Sequence, residues 1–161
     1  MRLGEADFAP FALRQAKLAA GRLVFEITET AVIENPETAL AMLDRFHEAG
    51  IAISIDDFGT GLSSLAYLKR IRGQELKIDK SIVAGVTESQ RDALIVRSTV
   101  DLAHSLGLKV TAEGVETADC FSLLSAMGCD HAQGYLIAKP LPLKELLTFV
   151  GDSGVKERSY G

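Results

Sequence analysis

The sequence predicts an α/β fold built on a parallel sheet, and three observations lead there. Strand-like and helix-like segments alternate along the chain, so that five apolar strands are each followed by a helical stretch. Glycine or proline stands at most of the junctions, where each element must stop or turn. No low-complexity tract or linker interrupts the 161 residues, a length that suits one domain with a sizeable core. Parallel strands need crossover connections, and right-handed crossovers follow by default.

Asp7 to Ala20 has a helical pattern, with Pro10 tolerated in its first turn and Gly21 as its stop. Leu23 to Thr28 reads as the first strand. Asn35 and Pro36 open a helix as cap and first residue, and it runs to His47 and stops at Gly50. Ile51 to Ile55 is the second strand, Ser63 to Ile71 a short helix, and Glu75 to Asp79 the third strand. Ser89 starts a long helix that ends near Ser105 and is closed by Gly107. Leu108 to Ala112 is the fourth strand, and Asp119 to Met127 a helix ended by Gly128. His131 to Leu136 is the fifth strand, Leu143 to Val150 the last helix, and residues 151–161 a polar flexible tail.

Composition narrows the functional classes. The chain is 47% hydrophobic and 24% charged, with a formal net charge of -5, which argues against a basic face for duplex nucleic acid. Cys120 and Cys129 form no CxxC pair and no zinc spacing, as expected for a reduced, cytoplasmic setting. The N-terminus has no signal-peptide core and no run reaches a membrane-spanning length. A cytosolic portion of a membrane-anchored protein fits the same pattern.

The strand period of two sorts the polar residues. Leu23, Phe25 and Ile27 share one parity, while Val24, Glu26 and Thr28 share the other. The same division separates Ile51, Ile53 and Ile55 from Ala52, Ser54 and Asp56, and Leu76 and Ile78 from Glu75, Lys77 and Asp79. It also separates Leu108, Val110 and Ala112 from Lys109, Thr111 and Glu113, with Gln133 on the polar parity of the fifth strand. Glu26, Asp56, Lys77, Glu113 and Gln133 are thus expected on one face near the strands' carboxyl ends, where parallel α/β proteins place their sites.

Taken singly, Asp56-Asp57 before Gly59 is a turn or cap, Lys77-Ile78-Asp79 a strand end, and Glu113-Gly114 a strand-to-loop junction. Together, several carboxylates on one face are costly unless they are paired or bind a cation. One lysine cannot neutralise Glu26, Asp56, Asp57 and Glu113. Oxygen donors without a convergent His or Cys suit Mg²⁺ or Mn²⁺, and the adjacent pair Asp56 and Asp57 suits two ions. Two rival motifs fail. Asp57-Phe58-Gly59 matches the kinase magnesium tripeptide without its companion loops, and Gly59-Thr60-Gly61 lacks the remaining residues of a nucleotide fingerprint. His47, His104 and His131 are scattered and make no catalytic triad.

Five blocks, FEITET, IDDFGTGLSSLAYL, ELKIDKSIV, VTAEGVET and GCDHAQGYLIAKPLP, closely resemble in order and spacing the EAL domain family of bacterial cyclic di-GMP phosphodiesterases. The resemblance runs from about Leu3 to Leu143 and implies a TIM-type (β/α)₈ barrel, here an incomplete one of about five βα units. It implies two-metal hydrolysis of cyclic di-GMP to linear pGpG with Mg²⁺ or Mn²⁺. Glu26, Asp56 and Asp57 resemble metal ligands, with Asp56 bridging, and Lys77, Glu113 and Gln133 resemble the residues that position the attacking water. Glu29 resembles an acid that braces the loop Phe58-Gly59-Thr60-Gly61, which the family uses for ligand and dimer contacts, and Asp79 and Glu116 match further acids nearby. The resemblance also implies a homodimer through that loop and upstream sensory or GGDEF domains.

The Glu-Ala-Leu triplet that names the family, its Arg and an Asn ligand have no counterpart, for Glu5-Ala6-Asp7 lacks the Leu and lies before Glu26. Residues 1–150 are therefore expected to form a partial domain with a weakened first ion site and a doubtful activity by itself. A noncatalytic cyclic di-GMP receptor or protein-interaction module is the alternative that this departure leaves open.

Overall fold

The structure, a computed structural model, describes residues 22–34, 36–60 and 68–152. Strands β1 (Val24–Thr28), β2 (Ala52–Phe58), β3 (Glu75–Ile78), β4 (Lys109–Glu113) and β5 (His131–Gln133) form one parallel sheet in sequential order. The helices are α1 (Glu29–Glu34), α2 (Pro36–Glu48), α3 (Lys80–Val83), α4 (Gln90–Ser105), α5 (Ala118–Ala126) and α6 (Leu143–Asp152). The expected helix over 7–20, its stop Gly21, the cap Asn35, Gly61 and the tail beyond Asp152 lie outside the described residues. So does most of the short helix expected over 63–71.

One face of the sheet is apolar and carries the helices. Ile51, Ile53 and Phe46 of α2 are at most 1% exposed, and the Phe46 ring stacks on Phe25 with centroids 4.4 Å apart. Farther along, Leu76, Ile78, Val110 and Ala112 pack with Val96 and Val100 of α4 and Leu124 of α5. Each such side chain taken from water contributes about 1.5–3 kcal/mol, which fixes which strand face turns inward. Capping sets the helix starts. The Ser89 hydroxyl accepts from Asp92 N at 3.2 Å and Thr117 Oγ1 from Cys120 N at 3.2 Å, each worth about 1 kcal/mol. Among the described residues no helix is long and apolar enough to cross a membrane.

The departures from the sequence reading have local causes. The second strand does not stop at Ile55 but continues through both aspartates to Phe58. Ile55 pairs with Leu76 and Phe58 with Ile78, so β2 has one residue more than β3 between these rungs. This bulge explains why Ile55 and Phe58, three apart, both reach the apolar core. Asp57 takes the extra step at φ +55°, a left-handed conformation that Asp tolerates better than most residues. Its carbonyl accepts from the Thr60 hydroxyl at 2.9 Å. Glu29 to Glu34, unassigned in the sequence reading, is helical, and a short helix follows Asp79. The fifth strand ends at Gln133 rather than Leu136 because Gly134 presses against the Val115 backbone, leaving no room for a Cβ.

The strain at Asp57 leads to a prediction. Asp57→Gly is expected to be more stable than Asp57→Ala by about 1 kcal/mol, since both lose the carboxylate but only Ala keeps a Cβ at positive φ. Urea denaturation of the two variants measures the difference, and equal stability refutes the left-handed assignment.

A second polar contact ties the far end of the sheet together. Asp130 Oδ2 accepts from Val110 N at 2.8 Å and lies 2.8 Å from His104 Nε2. Burial opposes the Asp130 charge, yet His104, the Val110 N–H and His131 hold its carboxyl below the usual carboxylate range. A carboxyl depressed in the folded state binds fewer protons there than in the unfolded chain, so its stabilisation is present above about pH 4 and lost as pH falls through the folded value. The melting temperature is expected to drop below about pH 4, and Asp130→Asn to flatten that slope. Cys120 and Cys129 are free, and burial pushes the Cys129 thiol up to about 11.

Candidate metal centre

The polar parity converges where the strands end. Lys77 on the central strand β3 is buried, its side chain only 9% exposed, and its Nζ lies 2.7 Å from Glu113 Oε1 of β4, 3.0 Å from Glu26 Oε1 of β1 and 3.1 Å from Asp56 Oδ1 of β2. Four strands thus deliver one ammonium and three carboxylates to one point. Burial disfavours the lysine charge, but the contacts with Glu113, Glu26 and Asp56 outweigh it and raise its pKa above the ordinary lysine value. Lys77 is therefore a cation at neutral pH and a donor, not a base.

Beside it, ligand oxygens of Asp56, Asp57 and Glu113 lie within 4.8 Å of one another. Strict alternation would have sent neighbouring Asp56 and Asp57 to opposite faces, and the bulge is what turns both toward Glu113. At that spacing two carboxylates repel by about 3–4 kcal/mol at an effective dielectric of 20. Lys77 reaches two of the three. Asp56 Oδ1 is fully buried, and although Lys77 is at ion-pair distance, no donor among the described residues is aligned on this oxygen. A buried carboxylate oxygen without an aligned donor, in an all-oxygen set of three acids, fits a hard divalent cation.

The remaining expected residues sit around this group at various distances from the chemistry. Glu26 contacts Lys77 but stays outside the trio, and its side chain is 55% exposed. Gln133 is exposed on β5 opposite Glu113 in register. Glu29 is buried at the start of α1, where Oε2 accepts from Gly59 N at 3.2 Å and Oε1 has no hydrogen-bond partner among the described residues. Phe58 belongs to the core, Gly59 turns the chain at φ +97°, and Thr60 is exposed. Asp79 caps α3: its carboxylate accepts from Ser81 N at 2.9 Å, a bond that lowers its pKa. Glu116 is exposed beyond β4.

The sequence reading did not single out Ser54, Glu75 and Thr111. Ser54 Oγ donates to Glu75 Oε2 at 2.8 Å, and Thr111 Oγ1 donates to Glu75 Oε1. Their signal was present, since each precedes Asp56, Lys77 or Glu113 by two residues and so shares its face.

Comparison with known proteins gives this geometry a setting. The chain is 44% identical over 149 residues to the cyclic di-GMP phosphodiesterase NbdA of Pseudomonas aeruginosa, covering 92% of the chain and 19% of that protein. It is 40% identical over 147 residues to the bifunctional diguanylate cyclase/cyclic di-GMP phosphodiesterase MucR of the same organism, covering 91% and 22%. The chain therefore spans about a fifth of the length of these curated relatives. Its fold superimposes on the manganese and cyclic di-GMP complex of Klebsiella pneumoniae BlrP1 with a TM-score of 0.78 and 34% identity, covering 83% of this chain and 34% of that one. The incomplete α/β barrel of five parallel strands is thus part of a known architecture. The EAL domain profile matches residues 3–140, and the chain belongs to the EAL domain family.

Proposed function

We propose that this domain hydrolyses one phosphodiester bond of cyclic di-GMP to give linear pGpG, using Mg²⁺ or Mn²⁺. The observation that carries the reading is the convergence of Asp56, Asp57 and Glu113 beside Lys77 in an EAL fold. Asp56, Asp57 and Glu113 would hold one ion, and Glu26 with Asp56 a second. Such ions, when bound, supply charge neutralisation at the phosphoryl oxygens and a more acidic water. Glu113 and Gln133, opposite each other in register, accept hydrogen bonds from the attacking water and set its approach. Lys77, held protonated by its three acids, donates to that water or to a phosphoryl oxygen and offsets charge as it builds. Water adds at phosphorus, the P–O3′ bond breaks, and the 3′-oxygen leaves with a proton.

Glu29 braces the turn at Gly59, and the segment Phe58-Gly59-Thr60-Gly61 contacts the ligand and a second copy of the domain. Asp79 and Glu116 shape the surrounding surface. The domain occupies residues 1–150 with a tail over 151–161. It works in the cytoplasm downstream of sensory or GGDEF segments, a setting supported by the two activities in the name of the MucR relative.

The test is incubation of the chain with cyclic di-GMP and Mn²⁺, followed by chromatography for pGpG. A second reading, a noncatalytic receptor, is favoured by one observation: Glu26 is half-exposed and lies outside the compact trio, so the second ion has fewer donors among the described residues. Calorimetric binding of cyclic di-GMP with no pGpG formed selects the receptor and rejects the enzyme.

A further inference from the structure

We infer that Ser54, Glu75 and Thr111 are positioning residues, a three-strand strap that sets the separation of Asp56 and Glu113. The inference rests on the cation site proposed above. The Glu75 carboxylate takes one hydroxyl from each side: Ser54 Oγ of β2 on Oε2 at 2.8 Å and Thr111 Oγ1 of β4 on Oε1. Ser54 is 0% exposed and Thr111 5%, so both hydroxyls depend on Glu75 rather than on water. The three residues precede Asp56, Lys77 and Glu113 by two positions, which places the strap one pleat, roughly 7 Å, below the acidic layer on the same face.

Two features separate this from ordinary core packing. Aliphatic side chains fill most interior positions of this sheet, whereas here two buried hydroxyls both turn to one carboxylate that is itself only partly buried. What it fixes is direction, because two charge-assisted hydrogen bonds hold three strands at set lateral spacings where methyl groups would slide. The strap also lies next to the break in the β2–β3 ladder. Ser54 pairs with Glu75 and Ile55 with Leu76, and the bulge that carries Asp56 and Asp57 begins directly above. Asp56 keeps its rung with Thr28 of β1, but the ladder to β3 is broken at both aspartates, so on that side the strap is the anchor directly below them. Divalent cations demand oxygen distances defined to a few tenths of an ångström, and loss of supporting contacts of this kind typically weakens metal affinity by about 10–100-fold.

The test is Mn²⁺ titration calorimetry on the full chain without cyclic di-GMP, with thermal melts in parallel. Glu75→Leu combined with Ser54→Ala and Thr111→Val replaces the strap by apolar groups and orphans no hydroxyl. It is expected to melt close to the parent yet bind Mn²⁺ about tenfold more weakly. Glu75→Gln, whose amide both hydroxyls can still engage by rotating, should restore the affinity. A folded triple variant with parental Mn²⁺ affinity overturns the inference, as does a parent chain that binds no Mn²⁺. Should the triple variant not fold, Thr111→Val alone must weaken Mn²⁺ binding, and an unchanged affinity overturns the inference equally. A chain that binds Mn²⁺ but cleaves no cyclic di-GMP defeats the phosphodiesterase reading and leaves the strap standing.

Discussion

Asp56→Asn is expected to lower the proposed cyclic di-GMP hydrolysis by a factor on the order of a thousand or more, the scale on which a single essential electrostatic group acts, and to leave the fold intact. The substitution keeps the size of the side chain and removes its charge. Asp56, like Glu113, belongs both to the Lys77 contacts and to the acidic trio. Its loss therefore breaks the cation site and the lysine's surroundings together. Stability should barely move, because two effects oppose each other. Relief of repulsion from Asp57 and Glu113 offsets the lost ion pair with Lys77. Initial rates and melting temperature measured on one preparation check both halves. An Asn variant that retains more than a tenth of the parental rate would remove Asp56 from the chemistry.

Lys77→Met is expected to be the most destabilising single change at the site in the absence of divalent cations. It strips the one ammonium from among Glu26, Asp56 and Glu113. Removing one partner of a buried pair costs about 3–5 kcal/mol, and the half-exposed Glu26 can turn to solvent, so about 2–4 kcal/mol is expected here. For a chain of this size that lowers the melting temperature by on the order of 10 °C. The sign then reverses with metal. Three freed carboxylates become better ligands, and cation binding stabilises the folded state by mass action. Millimolar Mn²⁺ should raise the melting temperature of Lys77→Met more than that of the parent. If Mn²⁺ gives the variant no additional rise, the acids around Lys77 do not form a cation site.

Much of the architecture was legible because it depends on short-range rules. Ser89 marks the start of α4 and Gly107 its end through capping and a positive φ of 77°, both properties of single residues. Parity placed Glu26, Asp56, Lys77 and Glu113 on one face, since a strand's side chains alternate whatever surrounds them. The same rule misread the strand at its functional end. It stopped β2 at Ile55, short of both aspartates, whereas the strand runs to Phe58 through a bulge. That bulge is set by pairing with β3, which lies some twenty residues later, so no window on β2 can reveal it. Gly134 likewise ends β5 through the close approach of the Val115 backbone, a contact between separate segments.

Five βα units in a parallel sheet with one acidic face follow from the order of the residues alone, because periodicity, caps and glycine stops act within a few residues. The packed sheet is needed to bring Asp56 and Asp57 to the same side, to set Lys77 among three acids, and to let Glu75 tie three strands beneath them. These are relations between strands, set by register and by which side chains meet across it, and no single segment contains them.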